Sequence, residues 1–388
     1  MTVLSKRLMA GCALALGLAL GPVPVLAEDF HGFDPLNYSG EMLSDDQLKA
    51  MAADAAANHK PRNGEKLVIG FANLQRDITF CQIVEEGILK NIKAAGIDVV
   101  VTDNRLDGAT ALANAQSMVS RNVDYVFEFQ TDANFAPTIM KTFNDADTKV
   151  TAIDIPMPGA TFFAVNNPRG GFMAASYLAQ AAVKAKGEDA VDKGYAVLGA
   201  LPQSGAIVNM RTKGQIAGLK AVLPNFPDDH IIQIDTKNTL QEAYAQMTNV
   251  LSRIPEGVPI LVTAINDQAT SGMIRAAKQA GREADLFAVG MGGDELETML
   301  AEKSWLASVD HFPERYGNYL VPIALMSLAG KELPTSIVLH HEMITKGNVC
   351  KYNSQYKCDP DAKDIEYTFP QDAYSKFLAS LGSDPDLA

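Results

Sequence analysis

The chain is short of several things, and each shortage removes a class of explanation. Basic residues are outnumbered: 33 Lys and Arg against 46 Asp and Glu give a formal net charge of −13 and a pI near 4.9. Nucleic acid and anionic membrane surfaces would both repel such a molecule, whereas an uncharged or cationic small ligand would not. No Gly-x-Ser-x-Gly, His-Glu-x-x-His or Walker loop occurs, so the commonest hydrolase and nucleotide-binding signatures are missing. There is no low-complexity segment and no short repeat. With 47% hydrophobic and 20% charged residues, the 388-residue chain is long enough and apolar enough for two domains with real cores.

Long hydrophobic runs are scarce too. The longest, Leu8 to Leu20, falls short of the ~20 residues needed to span a bilayer, and Gly21-Pro22 and Pro24 break it. Lys6 and Arg7 precede this run, and Val25-Leu26-Ala27 supplies small residues after it, the pattern of a cleaved secretory signal over residues 1–27. Met9-Ala10-Gly11-Cys12 faintly resembles a lipoprotein site, but the hydrophobic segment lies almost wholly after Cys12. Cysteine is scarce, with four in all. Cys12 leaves with the signal. Cys350 and Cys358 lie eight apart in a polar loop where a disulfide is expected, consistent with export. Cys81 is then unpaired, either a core thiol or one lining a cleft.

What remains is a regular alternation. Leu67 to Ala72 is an unbroken apolar run, followed by a polar turn and a helical stripe of Ile83, Val84, Ile88 and Ile92. A strand without polar alternation is covered on both faces, as in a parallel sheet. Ligands of such sheets sit beyond the carboxyl ends of the strands, which makes the turn Asn73 to Phe80 the first candidate binding surface. Strands are expected at 98–102, 125–129, 150–155, 162–165, 195–199, 231–235, 260–265, 286–289, 307–310 and 336–341, with helices between them. Roughly eleven strands are too many for one modest doubly wound sheet, so two lobes are expected. Ahead of them, residues 28–64 form an acidic, Ala-rich extension. Ser44-Asp45-Asp46-Gln47 is a capping box that starts a helix running to about Asn58. Gly290-Met291-Gly292-Gly293 reads as a tight turn near the cleft, Glu85-Glu86 as a solvated helix edge and Trp305 as core. His340-His341-Glu342 is a poor metal site, because neighbours on a strand point to opposite faces.

Several segments fall in a familiar order: Val-Ile-Gly-Phe-Ala-Asn at 68–73, Ala-Ile-Asp-Ile-Pro at 152–156, Val-Asn-Asn-Pro-Arg-Gly-Gly at 165–171, Arg-Thr-Lys-Gly at 211–214, Ala-Ile-Asn-Asp-Gln at 264–268 and Asp-His-Phe-Pro-Glu-Arg-Tyr-Gly at 310–317. From about Lys66 to Ile344 the chain resembles ribose- and galactose-type periplasmic solute-binding proteins. The resemblance implies an α/β fold of two Rossmann-like lobes with parallel sheets, the type I periplasmic binding protein fold. It places three hinge crossings near Val165–Asn167, Asp310–Pro313 and His340–Glu342. It divides the chain into a signal (1–27), an extension (28–64), an N-terminal lobe (65–166 plus 312–340) and a C-terminal lobe with tail (167–311 plus 341–388).

The resemblance also implies a function and a site: a periplasmic, monomeric receptor that closes around a monosaccharide or sugar alcohol and presents it to an ABC permease, without cofactor, metal or catalysis. In the first lobe it assigns Phe80 and Cys81 to positions of ring-packing aromatics, Asp77 and Thr79 to polar reach, Gln130 to a missing asparagine beside Asp132, and Asp154 to a hydroxyl-binding aspartate. The arginine that often follows is replaced by Ile155. In the second lobe it assigns Arg211, Asn238, Asn266 and Met291. The Gly-Phe-Asp-Gly of relatives is Gly290-Met291-Gly292-Gly293 here, so a ligand aspartate is absent, with Asp294 nearby. His311 replaces a glutamine. Fixed carboxylates, amides and guanidinium groups suit a polyol, because hydrogen bonds to charged groups contribute about 1.5–3 kcal/mol each. A ligand touching both lobes also favours the closed state, since only differential contact shifts a population. A chemotaxis or sensor-kinase co-receptor would use the same site. A secreted carbohydrate-acting enzyme is the more distant alternative, and a sugar-responsive repressor would need a basic helix-turn-helix that the acidic extension does not supply.

Overall fold

A computed structural model describes residues 29–130 and 132–382. The secretory signal expected over residues 1–27 lies outside the described residues. Two six-stranded sheets form, and the order of strands follows from where the apolar runs fall. The first five strands are β1 (Val68–Asn73), β2 (Asp98–Asp103), β3 (Tyr125–Glu128), β4 (Lys149–Ile153) and β5 (Thr161–Val165). The next five are β6 (Tyr195–Ala200), β7 (Ile231–Asp235), β8 (Ile260–Thr263), β9 (Leu286–Gly292) and β10 (Trp305–Asp310). Then come β11 (Ser336–Leu339), which returns to the first sheet, and β12 (Glu342–Thr345), which returns to the second. The sheet orders are β11-β5-β4-β3-β1-β2 and β12-β10-β9-β8-β6-β7. Every pairing is parallel except β12 with β10. The chain therefore passes between the sheets three times: after β5, after β10 and between β11 and β12.

All six residues of β1 are buried, as a strand with no alternation requires. Helix packing in the second lobe depends on small residues. Helices Asn167–Lys186 and Gly205–Val222 cross so closely that a β-carbon on Gly171 would stand 1.9 Å from the carbonyl of Arg211, and one on Gly214 2.4 Å from that of Pro168. Only glycine permits that approach, and the approach holds the backbone of Arg211 in place.

The extension is part of the first lobe. Its capping box is present, with Ser44 accepting from Gln47 N and Gln47 Oε1 accepting from Ser44 N, and the helix runs Asp45–Asn58. Phe30, Phe33, Leu48 and Met51 join the same apolar cluster as β1 and the helix Tyr316–Leu328. Asn318 Nδ2 donates to Gly40 O at 2.8 Å and Tyr319 OH to Tyr38 O at 2.9 Å. At the other end, Cys350 and Cys358 are bonded. The following segment lays Phe369 and Tyr374 against Phe172, with the Arg169 guanidinium 4.5 Å above the Phe369 ring.

Three sequence expectations are corrected. Gly290, Met291 and Gly292 continue β9 rather than forming a turn; the chain turns only at Gly292 and Gly293, both with positive φ. The strand expected over 336–341 stops at Leu339. Glu85 is not on a solvated edge. It is buried and accepts from Asn73 Nδ2 at 2.8 Å and Arg76 Nε at 2.9 Å, which ties the loop after β1 to its helix, while Glu86 is exposed. Trp305 is fully buried. No helix among the described residues is long and apolar enough to cross a membrane.

Candidate functional site

A cavity of about 70 Å³ lies between the carboxyl ends of the two sheets. Of the residues that the sequence singled out, Phe80, Cys81, Asp154, Arg211, Asn238, Asn266, Met291 and His311 line it. Four do not. Asp77 is exposed, because the loop turns its polar backbone and Arg76 inward to Glu85 and leaves Asp77 on the outside. Asp132 caps the turn at Ala133, its Oδ1 accepting from Asn134 N at 3.0 Å. Gln130 is buried beside the cleft but does not line the cavity, and neither end of its amide has a partner. Thr79 sits at the rim, where its hydroxyl accepts from Gln268 Nε2 at 3.3 Å and donates to Glu295 Oε1 at 3.4 Å, joining the two lobes.

Asp154 follows β4 in the left-handed region, φ 58°, which turns its side chain into the cleft. Its Oδ1 accepts from Val165 N at 3.3 Å. Burial pushes its carboxyl up to about 6, against the pull of Arg211. Arg211 comes from the other lobe, on the helix Gly205–Val222. Its Nε donates to Asn167 Oδ1 at 2.9 Å and its Nη1 to Ile265 O. Burial lowers its pKa and Asp154 opposes that shift. The two face each other across the cavity with no direct ion pair between them among the described residues. Tyr316 OH is buried close to both and lowers the Asp154 carboxyl a little.

His311 lies at the crossing after β10. Burial, with Arg211 and His341 nearby, holds its pKa well below the usual imidazole range, so it is neutral, and its Nε2 has no partner. His341, 5.2 Å away ring to ring, is lowered to about 4 mainly by burial, and its Nε2 donates to Asn166 O at 2.9 Å. Cys81 is buried and its thiol is pushed well above the usual range by desolvation, so it is a neutral wall group rather than a nucleophile. Asn266 caps the helix Asp267–Gln279, its Oδ1 accepting from Ala269 N at 2.8 Å, and its Nδ2 donates to Asn238 Oδ1 at 2.9 Å.

Asp294 lies behind Gly292 and does not line the cavity; both of its oxygens are buried without partners. Burial, then Asp267, raises its pKa well above the carboxylate range. No group of three or more His, Cys, Asp or Glu among the described residues is placed to hold a metal ion. Leu74 and Ile78 come from the turn Asn73 to Phe80, which the sequence reading named as a candidate surface; it did not place Phe129, Leu201, Ser204, Val208 and Ile265 in the wall, although the rule that ligands lie beyond strand ends points to several of them. One carboxyl, one buried guanidinium, a neutral imidazole, two amides and a serine in a wall that is apolar elsewhere suit binding a small neutral molecule with hydroxyls.

Comparison with known proteins agrees with this geometry. The periplasmic binding protein domain family matches residues 69–332. The ribose import binding protein of Bacillus subtilis is 23% identical over 283 residues, 71% of this chain and 86% of its own. Among solved structures, a periplasmic solute-binding protein of an ABC transporter from Actinobacillus succinogenes, with bound D-allose, superposes with a TM-score of 0.62 at 18% identity, over 74% of this chain and all of its own. A solute-binding protein from Bacillus halodurans with bound myo-inositol gives 0.61 at 20% identity, over 75% of this chain and 98% of its own. The sheets, their parallel order and the cleft between them are those of type I periplasmic binding proteins, and the chain belongs to the periplasmic binding protein domain family.

Proposed function

We propose that this protein is a periplasmic receptor that closes on a monosaccharide or sugar alcohol and hands it unchanged to an ABC importer. The observation that carries the reading is the pair Asp154 and Arg211, contributed by opposite lobes, buried, and facing one cavity without touching. A hydroxyl-bearing molecule placed between them accepts from the guanidinium and donates to the carboxylate, so its binding energy is realised only when the lobes meet. The bound sugar and cyclitol of the two structural neighbours and the ribose import role of the relative support the same class of ligand. In this reading the N-terminal lobe is 65–166 plus 312–340 and the C-terminal lobe 167–311 plus 341–388, the monomer moving about three crossings.

A thermal-shift screen of pentoses, hexoses and polyols tests this directly. A ligand at 100 times its Kd should add about 2.7 kcal/mol of stability. Asp154→Asn should abolish that gain for every hit while leaving the protein folded, because asparagine tolerates the left-handed backbone. Recovery of a chemically altered sugar after incubation would point instead to an enzyme.

A further inference from the structure

The polar capacity of the cavity is small, and much of it is already spent. Both ends of the Asn266 amide are engaged, by Ala269 N and by Asn238. The Nε and Nη1 of Arg211 are engaged by Asn167 and Ile265. What is left for a ligand is the Asp154 carboxyl, one oxygen of which already accepts from Val165 N, the remaining N–H groups of Arg211, His311 Nε2, the amide nitrogen of Asn238, and Tyr316 OH beside them. The apolar residues of the same wall outnumber them.

The rest of the wall is mostly apolar, interrupted by Ser204, which is itself engaged. Ile155, from the first lobe, joins Leu201, Val208 and Ile265 of the second in one buried apolar cluster that reaches the cavity. Leu74, Ile78 and Phe129 bring the core of the first lobe to it from the other side. These residues line one and the same cavity, so a ligand that fills it touches them. A hydroxyl set against Leu201, Val208 and Ile155 loses its water and finds no partner, which costs about tenfold or more in affinity.

We propose that the cavity selects a deoxy sugar, one with hydroxyls along a single edge for Asp154, Arg211 and His311 and a methyl or methylene group against Leu201, Val208 and Ile155. This rests on the sugar-receptor reading and narrows its ligand class.

The test is calorimetric titration of matched pairs that differ by one hydroxyl: L-fucose and L-galactose, D-fucose and D-galactose, L-rhamnose and L-mannose, 2-deoxy-D-ribose and D-ribose. The expected result is at least one deoxy member binding about tenfold tighter than its partner. If the hydroxylated member of every pair that binds is equal or tighter, the proposal is overturned while the receptor reading stands. If no member of any pair binds while another sugar or polyol of the thermal-shift screen does, the proposal is overturned and the receptor reading stands; if nothing in that screen binds, both are overturned. Val208→Thr, nearly the same shape as valine, puts a hydroxyl into the wall. It should reduce the preference several-fold in a protein that still melts cooperatively, and an undiminished preference would overturn the assignment of this wall.

Discussion

At Asp154 the backbone and the ionisation state make separate demands. The left-handed φ of 58° favours Asp or Asn over a β-branched or alanine side chain. Burial raises the carboxyl to about 6, so between the ordinary carboxylate range and pH 6 the folded protein holds a proton that the unfolded chain has released. Stability from this group is present at low pH and is lost as pH rises through about 6, at a cost of up to about 3 kcal/mol. His341, lowered to about 4, acts in the opposite direction: stability is lost as pH falls from about 6.5 through 4. Asp154→Asn removes the first effect and keeps the second. The ligand-free variant should therefore melt above wild type at pH 8, keep about half of that advantage at pH 5 and lose it below about pH 4, and melting curves at the three pH values check this. Asp154 and Arg211 were placed by the family resemblance, and both line the cavity. Its apolar wall was not legible, since Leu201 and Ile265 beyond strand ends and Val208 on a helix read as core and are core as well as wall. Asp77 was misplaced for a related reason: sequence shows that a loop is polar, but not which of its side chains faces in.

Among the elements, the crossing of Asn167–Lys186 with Gly205–Val222 sets the position of Arg211. Gly171→Ala would force a β-carbon into the Arg211 carbonyl at 1.9 Å, so the helices must separate. Overpacking of this kind costs about 1–3 kcal/mol, and here it also moves the guanidinium. The expected outcome is a lower melting temperature together with ligand affinity weakened by tenfold or more, read by denaturation and calorimetry on the same preparation. Strands and helices were largely legible, because unbroken apolar runs bounded by glycine and polar turns leave few other readings. The errors lie where tertiary contact decides. β9 continues through Gly290 to Gly292 because β10 pairs with it there, and Glu85 is buried because Asn73 and Arg76 meet its charge.

For the molecule as a whole, the extension belongs to the first lobe rather than hanging from it. Nothing periodic marks Phe30 and Phe33 in the sequence, yet both are buried in the lobe's main apolar cluster together with Leu48 and Met51. Leu48→Ala should cost about 2–5 kcal/mol in chemical denaturation, as much as a central core position. The extension from Asp29 is thus fastened to the first lobe and the tail with its disulfide to the second, which leaves relative movement to the three crossings between the sheets. Small-angle scattering with and without a sugar that stabilises the protein tests that movement most directly. A fall in the radius of gyration at saturating ligand, absent in Asp154→Asn, is the expected result. Saturating binding with an unchanged radius of gyration would contradict a ligand trapped between two closing lobes.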